Sequence, residues 1–228
     1  MKLAVIPARG GSKRIPRKNI RSFCGRPIIS YSIRAAIQSG VFQRVIVSTD
    51  DSEIADVAQQ YGAEIPFIRP PELADDFVGT TPVVRHALET LREQGAVVDS
   101  ACCIYATAPF VRAEDLVQGY EILQSSGADY AFTVTSFAYP IQRAIVIAPS
   151  GRVSMLQPEN RVKRSQDLQE AYHDAGQFYW GKTAAFRRAL PILSEHSAPI
   201  ILPRHLVQDI DTLEDWERAE LMYKSWVA

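Results

Sequence analysis

Apolar positions follow two alternating rhythms along this chain. Short, mainly apolar runs, Lys2 to Pro7, Val45 to Val47, Ser100 to Tyr105 and Ala131 to Val134, have the length and composition of strands buried on both faces. Between them apolar residues recur at three- and four-residue spacing, which predicts amphipathic helices. The first carries Ile28, Ile29, Ile33, Ala36 and Ile37 and stops at Gly40. The second starts at Asp51 to Glu53, whose charge suits a helix N-terminus, and continues through Ile54, Val57 and Ala58. Val83, Val84, Ala87, Leu88 and Leu91 mark a third, opened by Thr81-Pro82 with proline at its first position. Leu116, Val117, Tyr120 and Leu123 mark a fourth, ended by Gly127. Residues 64–68 read as one more strand. The alternation predicts an α/β fold, a three-layer α/β/α doubly wound and mostly parallel sheet.

Beyond residue 136 the rhythm breaks. Ile145 to Ile147 and Val153 to Met155 flank Pro149-Ser150-Gly151, a hairpin signal, and the stretch from Gln157 to Asp174 is polar. We read roughly 137–172 as an inserted arm in a single domain spanning 1–228. Strand and helix then resume with Gln177 to Trp180, Thr183 to Leu190 and Ile200 to Leu202. Asp209-Ile210-Asp211 precedes a C-terminal helix for which Thr212 and Asp215 make a cap.

At 228 residues and 46% hydrophobic the chain can bury one sizeable core. A formal net charge of −1 gives no global case for nucleic acid or an anionic membrane. No apolar run reaches the ~20 residues that span a bilayer, and the N-terminus opens on a strand, so a cytoplasmic protein is expected. Cys24, Cys102 and Cys103 cannot all pair with one another, and the adjacent two sit in an apolar run as core residues.

Charge is concentrated in one place. Six of the thirteen residues from Arg9 to Arg21 are basic and none is acidic. This loop leaves the first strand and contains Gly10-Gly11, so its backbone N–H groups and cations can surround a polyanion such as a nucleoside triphosphate. A solvated basic loop is the plain alternative. Neither G-x-x-x-x-G-K-[ST] nor G-x-G-x-x-G occurs here.

The run Ile6 to Lys13 with Lys18-Asn19 resembles the signature of the acylneuraminate cytidylyltransferase family, whose members activate nine-carbon acidic sugars. Val47 to Asp50, Arg69 to Ala74 and Asp209 to Thr212 are similar to that family's later motifs, in the same order. The resemblance covers essentially the whole chain, and Asn160 to Asp167 with His173 to Gly181 look most like the branch acting on pseudaminic acid. The resemblance implies a nucleotide-diphospho-sugar transferase-like fold, a homodimer formed through the arm, and CTP, a nonulosonic acid and Mg²⁺ as ligands.

On that resemblance Ala8, Arg9, Gly10, Gly11, Ser12, Lys13 and Asn19 bind the triphosphate, and Lys18 with Arg9 acts on the departing pyrophosphate. Arg69 and Ala74 are placed at the cytosine; the residues alone leave Arg69 a surface arginine. An isolated D-x-D is more often a helix start and a surface residue, but the resemblance makes Asp209 and Asp211 the metal site. Tyr105 stands where the sialic-acid branch has a glutamine that touches the sugar, and Ala175 where it has an asparagine. Tyr105, Arg161, Lys163, Arg164, Gln177 and Tyr179 are therefore the candidate sugar-acid residues. On a strand Gln177 and Tyr179 face one way and Phe178 and Trp180 the other. His173-Asp174 are strand neighbours facing opposite ways, so no local acid–base pair is expected. The alternatives are a synthetase of CMP-sialic or CMP-legionaminic acid, a D-x-D glycosyltransferase, and an RNA-binding module using the two basic clusters.

Overall fold

In the computed structural model, which describes residues 1–75 and 77–227, the two rhythms become β1 (Lys2–Pro7), the short strands β2 (Ser22–Phe23) and β3 (Arg26–Pro27), α1 (Ile29–Gln38), β4 (Arg44–Ser48) and α2 (Ser52–Gln60). There follow α3 (Thr80–Glu93), β5 (Ser100–Ile104), α4 (Ala113–Ser125), β6 (Tyr130–Ser136), β7 (Ile145–Ile147) and β8 (Val153–Met155). The last elements are β9 (Tyr172–Lys182), α5 (Thr183–Arg187), β10 (Ser197–Ile201) and α6 (Leu213–Val227).

The main sheet has the order β10-β6-β9-β5-β1-β4. Parallel pairing joins β1 to both β4 and β5, and β10 to β6, while β9 pairs antiparallel with β5 and β6. Five strands therefore share one direction and β9 runs against them. Alternation along each strand divides the core into two layers. Ala4, Ile6, Val47, Ile104, Phe178 and Trp180 pack with Ile33, Ile54, Leu116 and Leu123 of α1, α2 and α4. Leu3, Val5, Ile46, Cys103 and Tyr179 pack with Val84, Leu88 and Leu91 of α3 and Phe186 of α5. The three-layer architecture follows from this division.

Two local expectations are corrected. Residues 64–68 do not form a strand. Glu64 alone makes a parallel bridge, to Ile46, because Pro66 has no N–H to continue a ladder at this sheet edge. The third helix begins at Thr80, which puts Pro82 third instead of first; the position is tolerated because first-turn N–H groups have no partner within the helix. The expected hairpin forms as the antiparallel β7–β8 ribbon. The cap of α6 also forms: Thr212 N–H donates to Asp215 Oδ2 at 2.8 Å, and Asp215 N–H donates to Thr212 Oγ1 at 3.2 Å. None of the described helices is long and apolar enough to cross a membrane.

A third apolar cluster lies outside the two layers. Ile15, Phe23 and Ile28 from the segment after β1 pack with Leu206, Ile210, Trp216 and Ala219. Phe23 meets Tyr31, Trp216 and Tyr223 edge-on, with centroids 5.5–5.6 Å apart. This cluster joins the two ends of the chain.

Helix α4 presses closely on the sheet at Gly119, where a Cβ atom would stand 2.8–2.9 Å from Trp180, Ile200 and Phe178. Gly119→Ala raises helix propensity by ~1 kcal/mol but overpacks this contact. With overpacking costing roughly 1–3 kcal/mol against that gain, we expect a net loss of up to about 2 kcal/mol in urea unfolding. A stabilised variant would mean that α4 does not press on the sheet there.

Candidate active site

At the C-terminal end of β1 the chain enters the basic loop, and the end of β4 holds it. Ala8 N–H donates to Ser48 O at 2.9 Å, and Gly10 N–H donates to Asp50 Oδ1 at 3.0 Å. Only glycine fits at position 10, since a Cβ there would lie 2.8 Å from Asp51 Oδ2. Further along, Arg17 in a left-handed conformation (φ 56°) turns its guanidinium onto Asp51, with contacts of 2.5 and 3.1 Å, and onto Glu53. The hydrogen bond from Arg17 holds the Asp51 carboxyl below its ordinary value, against partial burial. Asp51 also caps α2 by accepting from Ile54 N–H at 3.0 Å. Because this carboxyl is depressed, its anchoring is intact above the ordinary carboxylate range and is lost as pH falls through the folded value. Asn19, buried, closes the loop by donating from Nδ2 to Arg9 O at 2.9 Å.

Arg69 is not the surface arginine that its residue type suggests. It is 4% exposed. Its Nε donates to Ser48 Oγ at 3.1 Å, a second nitrogen donates to Ser48 O, and Nη1 donates to Leu73 O at 3.4 Å. Burial lowers its pKa, and the charge of Asp50 opposes that. Ala74 sits beside it, ending the turn Pro71–Leu73.

These segments wall a cavity of about 250 Å³. Arg9, Ser12, Lys13, Lys18, Asn19, Arg69, Tyr105 and Asp211 all line it, so eight of the residues selected from sequence converge here. Gly79, Thr80 and Val83 at the start of α3, which were not selected from sequence as site residues, complete the wall with Thr107 of the turn that follows β5, a turn whose place at a strand's C-terminal end marks it from sequence as a wall of the site. Arg17 and Asp51, which brace the loop from behind, were also missed; both sat within motifs already noted, and only their pairing was hidden.

The D-x-D segment reaches the cavity through Asp211. Arg14 Nη2 lies 3.0 Å from Asp211 Oδ1, and Lys18 Nζ lies 3.5 Å from the same atom while donating to Ile210 O at 2.7 Å. Asp209 is solvent-accessible as a residue, but its carboxyl is raised, first by desolvation and then by the charge of Asp211, against Lys18. Two carboxylates crowded in this way suit a divalent cation that completes its shell with phosphate oxygens and water. No cluster of three or more His, Cys, Asp or Glu side chains arranged for a metal occurs among the described residues.

The remaining selected residues lie elsewhere. Ala8 is buried in the core, Gly10 faces Asp51 at the back of the loop and Gly11 is exposed, all three outside the cavity lining. Gln177 is buried with Nε2 donating to Leu206 O at 2.6 Å, so it braces the segment before the D-x-D. Tyr179 is buried behind Tyr105, and Phe178 with Trp180 fills the opposite core layer. Arg161, Lys163 and Arg164 stand exposed on the arm, where Arg164 pairs with Asp167 at 2.7 Å and Lys163 O accepts from Arg143. His173 turns Nδ1 to the Asp174 carbonyl at 2.9 Å, and the Asp174 carboxylate goes elsewhere, so the two make no acid–base pair.

A cationic loop, a buried arginine and the Asp211 carboxylate converge on one cavity, while Asp209 lines a separate depression with Asp174, Ala175 and Arg204. A sequence profile described as cytidylyltransferase matches residues 3–223. The chain belongs to the cytidylyltransferase family. Among cytidylyltransferases it is 48% identical over 222 residues to pseudaminic acid cytidylyltransferase of Campylobacter jejuni serotype O:2, covering 97% of this chain and 96% of that protein. It is 34% identical to CMP-N,N'-diacetyllegionaminic acid synthase of Legionella pneumophila, over 96% and 94% of the two chains. Its fold matches CMP:2-keto-3-deoxy-manno-octonic acid synthetase complexed with CTP, with a TM-score of 0.71 at 17% identity over 98% of each chain.

Gly10→Ala tests the brace behind the loop. Displacing Asp51 or the loop costs roughly 1–2 kcal/mol, so we expect calorimetric affinity for a nucleoside triphosphate to fall about tenfold. Unchanged affinity would show that the loop does not depend on its packing against β4.

Proposed function

We propose that this cytidylyltransferase joins CTP to pseudaminic acid, giving CMP-pseudaminic acid and pyrophosphate. The observation that carries this is the match, at 48% identity over nearly the full length, to a protein described by that activity. The cavity supplies the chemistry. Arg9, Ser12 and Lys13 with the loop amides bind the triphosphate, and Arg69 fixes the wall at the cytosine. The anomeric hydroxyl oxygen of the sugar acid attacks the α-phosphorus and its proton passes to solvent. The bond from the α-phosphorus to the bridging oxygen breaks, and pyrophosphate leaves with the electron pair. Lys18 meets the charge that accumulates on the leaving group. Asp209 and Asp211 would hold Mg²⁺, which when bound neutralises phosphate charge and favours attack on phosphorus.

The enzyme works as a homodimer in this reading. The arm exposes Ile145, Ile147, Val153 and Leu156, apolar side chains that a second copy can cover. Arg161, Lys163 and Arg164 would then act on the sugar acid's carboxylate from the partner's arm. A cytoplasmic site of action fits the unpaired thiols of Cys24, Cys102 and Cys103.

Pyrophosphate release with the four nucleoside triphosphates against pseudaminic, legionaminic and sialic acids tests the assignment. We expect CTP to be required. kcat/KM for pseudaminic acid should exceed that for sialic acid by ~10³ or more, since a site built on particular polar partners rejects analogues lacking them. Equal efficiency with sialic acid would overturn the choice of sugar. In the same assay Lys18→Ala should lower kcat by ~10² to 10³ with a smaller change in CTP affinity. Wild-type turnover would remove Lys18 from the mechanism.

Asp209→Asn and Asp211→Asn should shift the Mg²⁺ dependence of turnover to higher concentration while leaving Tm nearly unchanged, because an amide oxygen is a poorer ligand for a hard cation. A large fall in Tm with Mg²⁺ dependence intact would make the segment a structural start to α6.

A further inference from the structure

A second cavity, of about 290 Å³, shares no lining residue with the first. Three helices and their flanking segments wall it. Tyr31, Arg34 and Gln38 stand at helical spacing on one face of α1, and Arg26 of β3 lies beside them. Tyr223 and Trp226, three residues apart, bring in one face of α6, and the connection from β5 to α4 contributes Pro109, Val111 and Arg112. The aromatic side is held in place. Tyr31 packs edge-on against Tyr223 with centroids 5.2 Å apart, Tyr223 against Trp226 at 5.5 Å, and the Tyr31 hydroxyl donates to Phe23 O at 2.7 Å. Trp226 is 39% exposed, so part of its ring is left for a ligand.

Charge decides what this cavity can take. Three guanidiniums line it with a single carboxylate, Glu114. Arg112 is compensated: Nε donates to Asp115 Oδ2 at 2.7 Å, Nη2 donates to Oδ1 at 2.5 Å, and Glu114 lies 3.2 Å from Nη1. Arg26 and Arg34 are exposed and have no carboxylate partner among the described residues. Two uncompensated guanidiniums beside a half-exposed indole favour an anion joined to a flat ring. A guanidinium matches phosphate oxygens with paired donors, and every nucleobase has a face that stacks on an aromatic side chain. The volume lies at the lower end of ordinary ligand pockets, which suits a mononucleotide better than a larger cofactor.

The connection from β5 to α4 also walls the first cavity, through Ala106 and Thr107. Phe110, between those wall residues in the chain, is buried. It packs on Tyr223 and Trp226, with centroids 5.9 and 6.1 Å away, and shares the third apolar cluster with Ile210 and with Ile15, which lines the first cavity. A ligand that moves Trp226 therefore pushes on the side chains that hold the basic loop against the Asp211 segment.

We propose that this cavity is a second binding site, for a nucleoside monophosphate group, with its phosphate on Arg26 and Arg34 and its base on Trp226, and that occupancy lowers turnover through Phe110. The source of that group rests on the proposed function: the nucleotide-sugar product carries it together with a carboxylate, two anions for two guanidiniums.

Calorimetry with CMP tests the site without any turnover. The wild type should bind two CMP per chain. Arg34→Ala and Trp226→Ala should each weaken one of the two about tenfold or more and leave the other, at the basic loop, unchanged. Arg34 is exposed, so its variant carries the test even where Trp226→Ala does not fold. One CMP per chain, two undiminished in Arg34→Ala, or inorganic phosphate binding the second cavity as tightly as CMP would overturn the site. In pyrophosphate release, CMP and the CMP-sugar should both inhibit at saturating CTP, the CMP-sugar at lower concentration because of its second anion, and Arg34→Ala should abolish that inhibition. Inhibition fully relieved by CTP would overturn the link to turnover. No release by the wild type would instead sink the proposed reaction, while the calorimetric count stands by itself.

Discussion

The site depends on holding a strongly cationic loop against a carboxylate pair from the other end of the chain. Lys18 makes the junction, its ammonium donating to Ile210 O and lying 3.5 Å from Asp211. A half-buried ion pair at this distance contributes little by itself. Its geometry is fixed by the apolar cluster beneath, where Ile15 and Phe23 meet Ile210 and Trp216. Burial of those side chains, at roughly 1.5–3 kcal/mol each, sets the position of charges that would otherwise separate. The loop is therefore fastened at two points, by β4 through Asp50 and Asp51 behind it and by the Ile210 segment in front.

This arrangement stores the charges in a form suited to exchange. Arg14 and Lys18 both lie on Asp211, while the carboxyl of Asp209 is raised beside it. Under the proposed function a triphosphate bringing a divalent cation would offer each partner a stronger counterion, phosphate oxygens for the cations and metal for the carboxylates.

Much of this was legible in the sequence, because the two apolar periods of Leu3 to Ile6 and Val83 to Leu91 leave only one way to bury both kinds of element. The basic run was legible as a site because opposite charge is absent from it. What stayed hidden was pairing across distance. Arg69 is buried because Ser48, twenty-one residues away, supplies its acceptors, and no periodicity announces that. Arg17 and Asp51 form one brace from two separate motifs. Gln177, selected as a sugar contact, instead holds Leu206, since a bulge and the reversed direction of β9 set which way its side chain points.

The central claim is that a single clamp, built from the basic loop and the Asp209–Asp211 segment, receives the triphosphate and its cation together. A crystal structure of the enzyme with CTP and Mg²⁺ tests it most directly. The account predicts phosphate oxygens on Arg9, Ser12 and Lys13, with the cation bridging them to Asp209 and Asp211 and Lys18 turned to the β- and γ-phosphates. A triphosphate bound away from this loop, or a cation held without either aspartate, would contradict it.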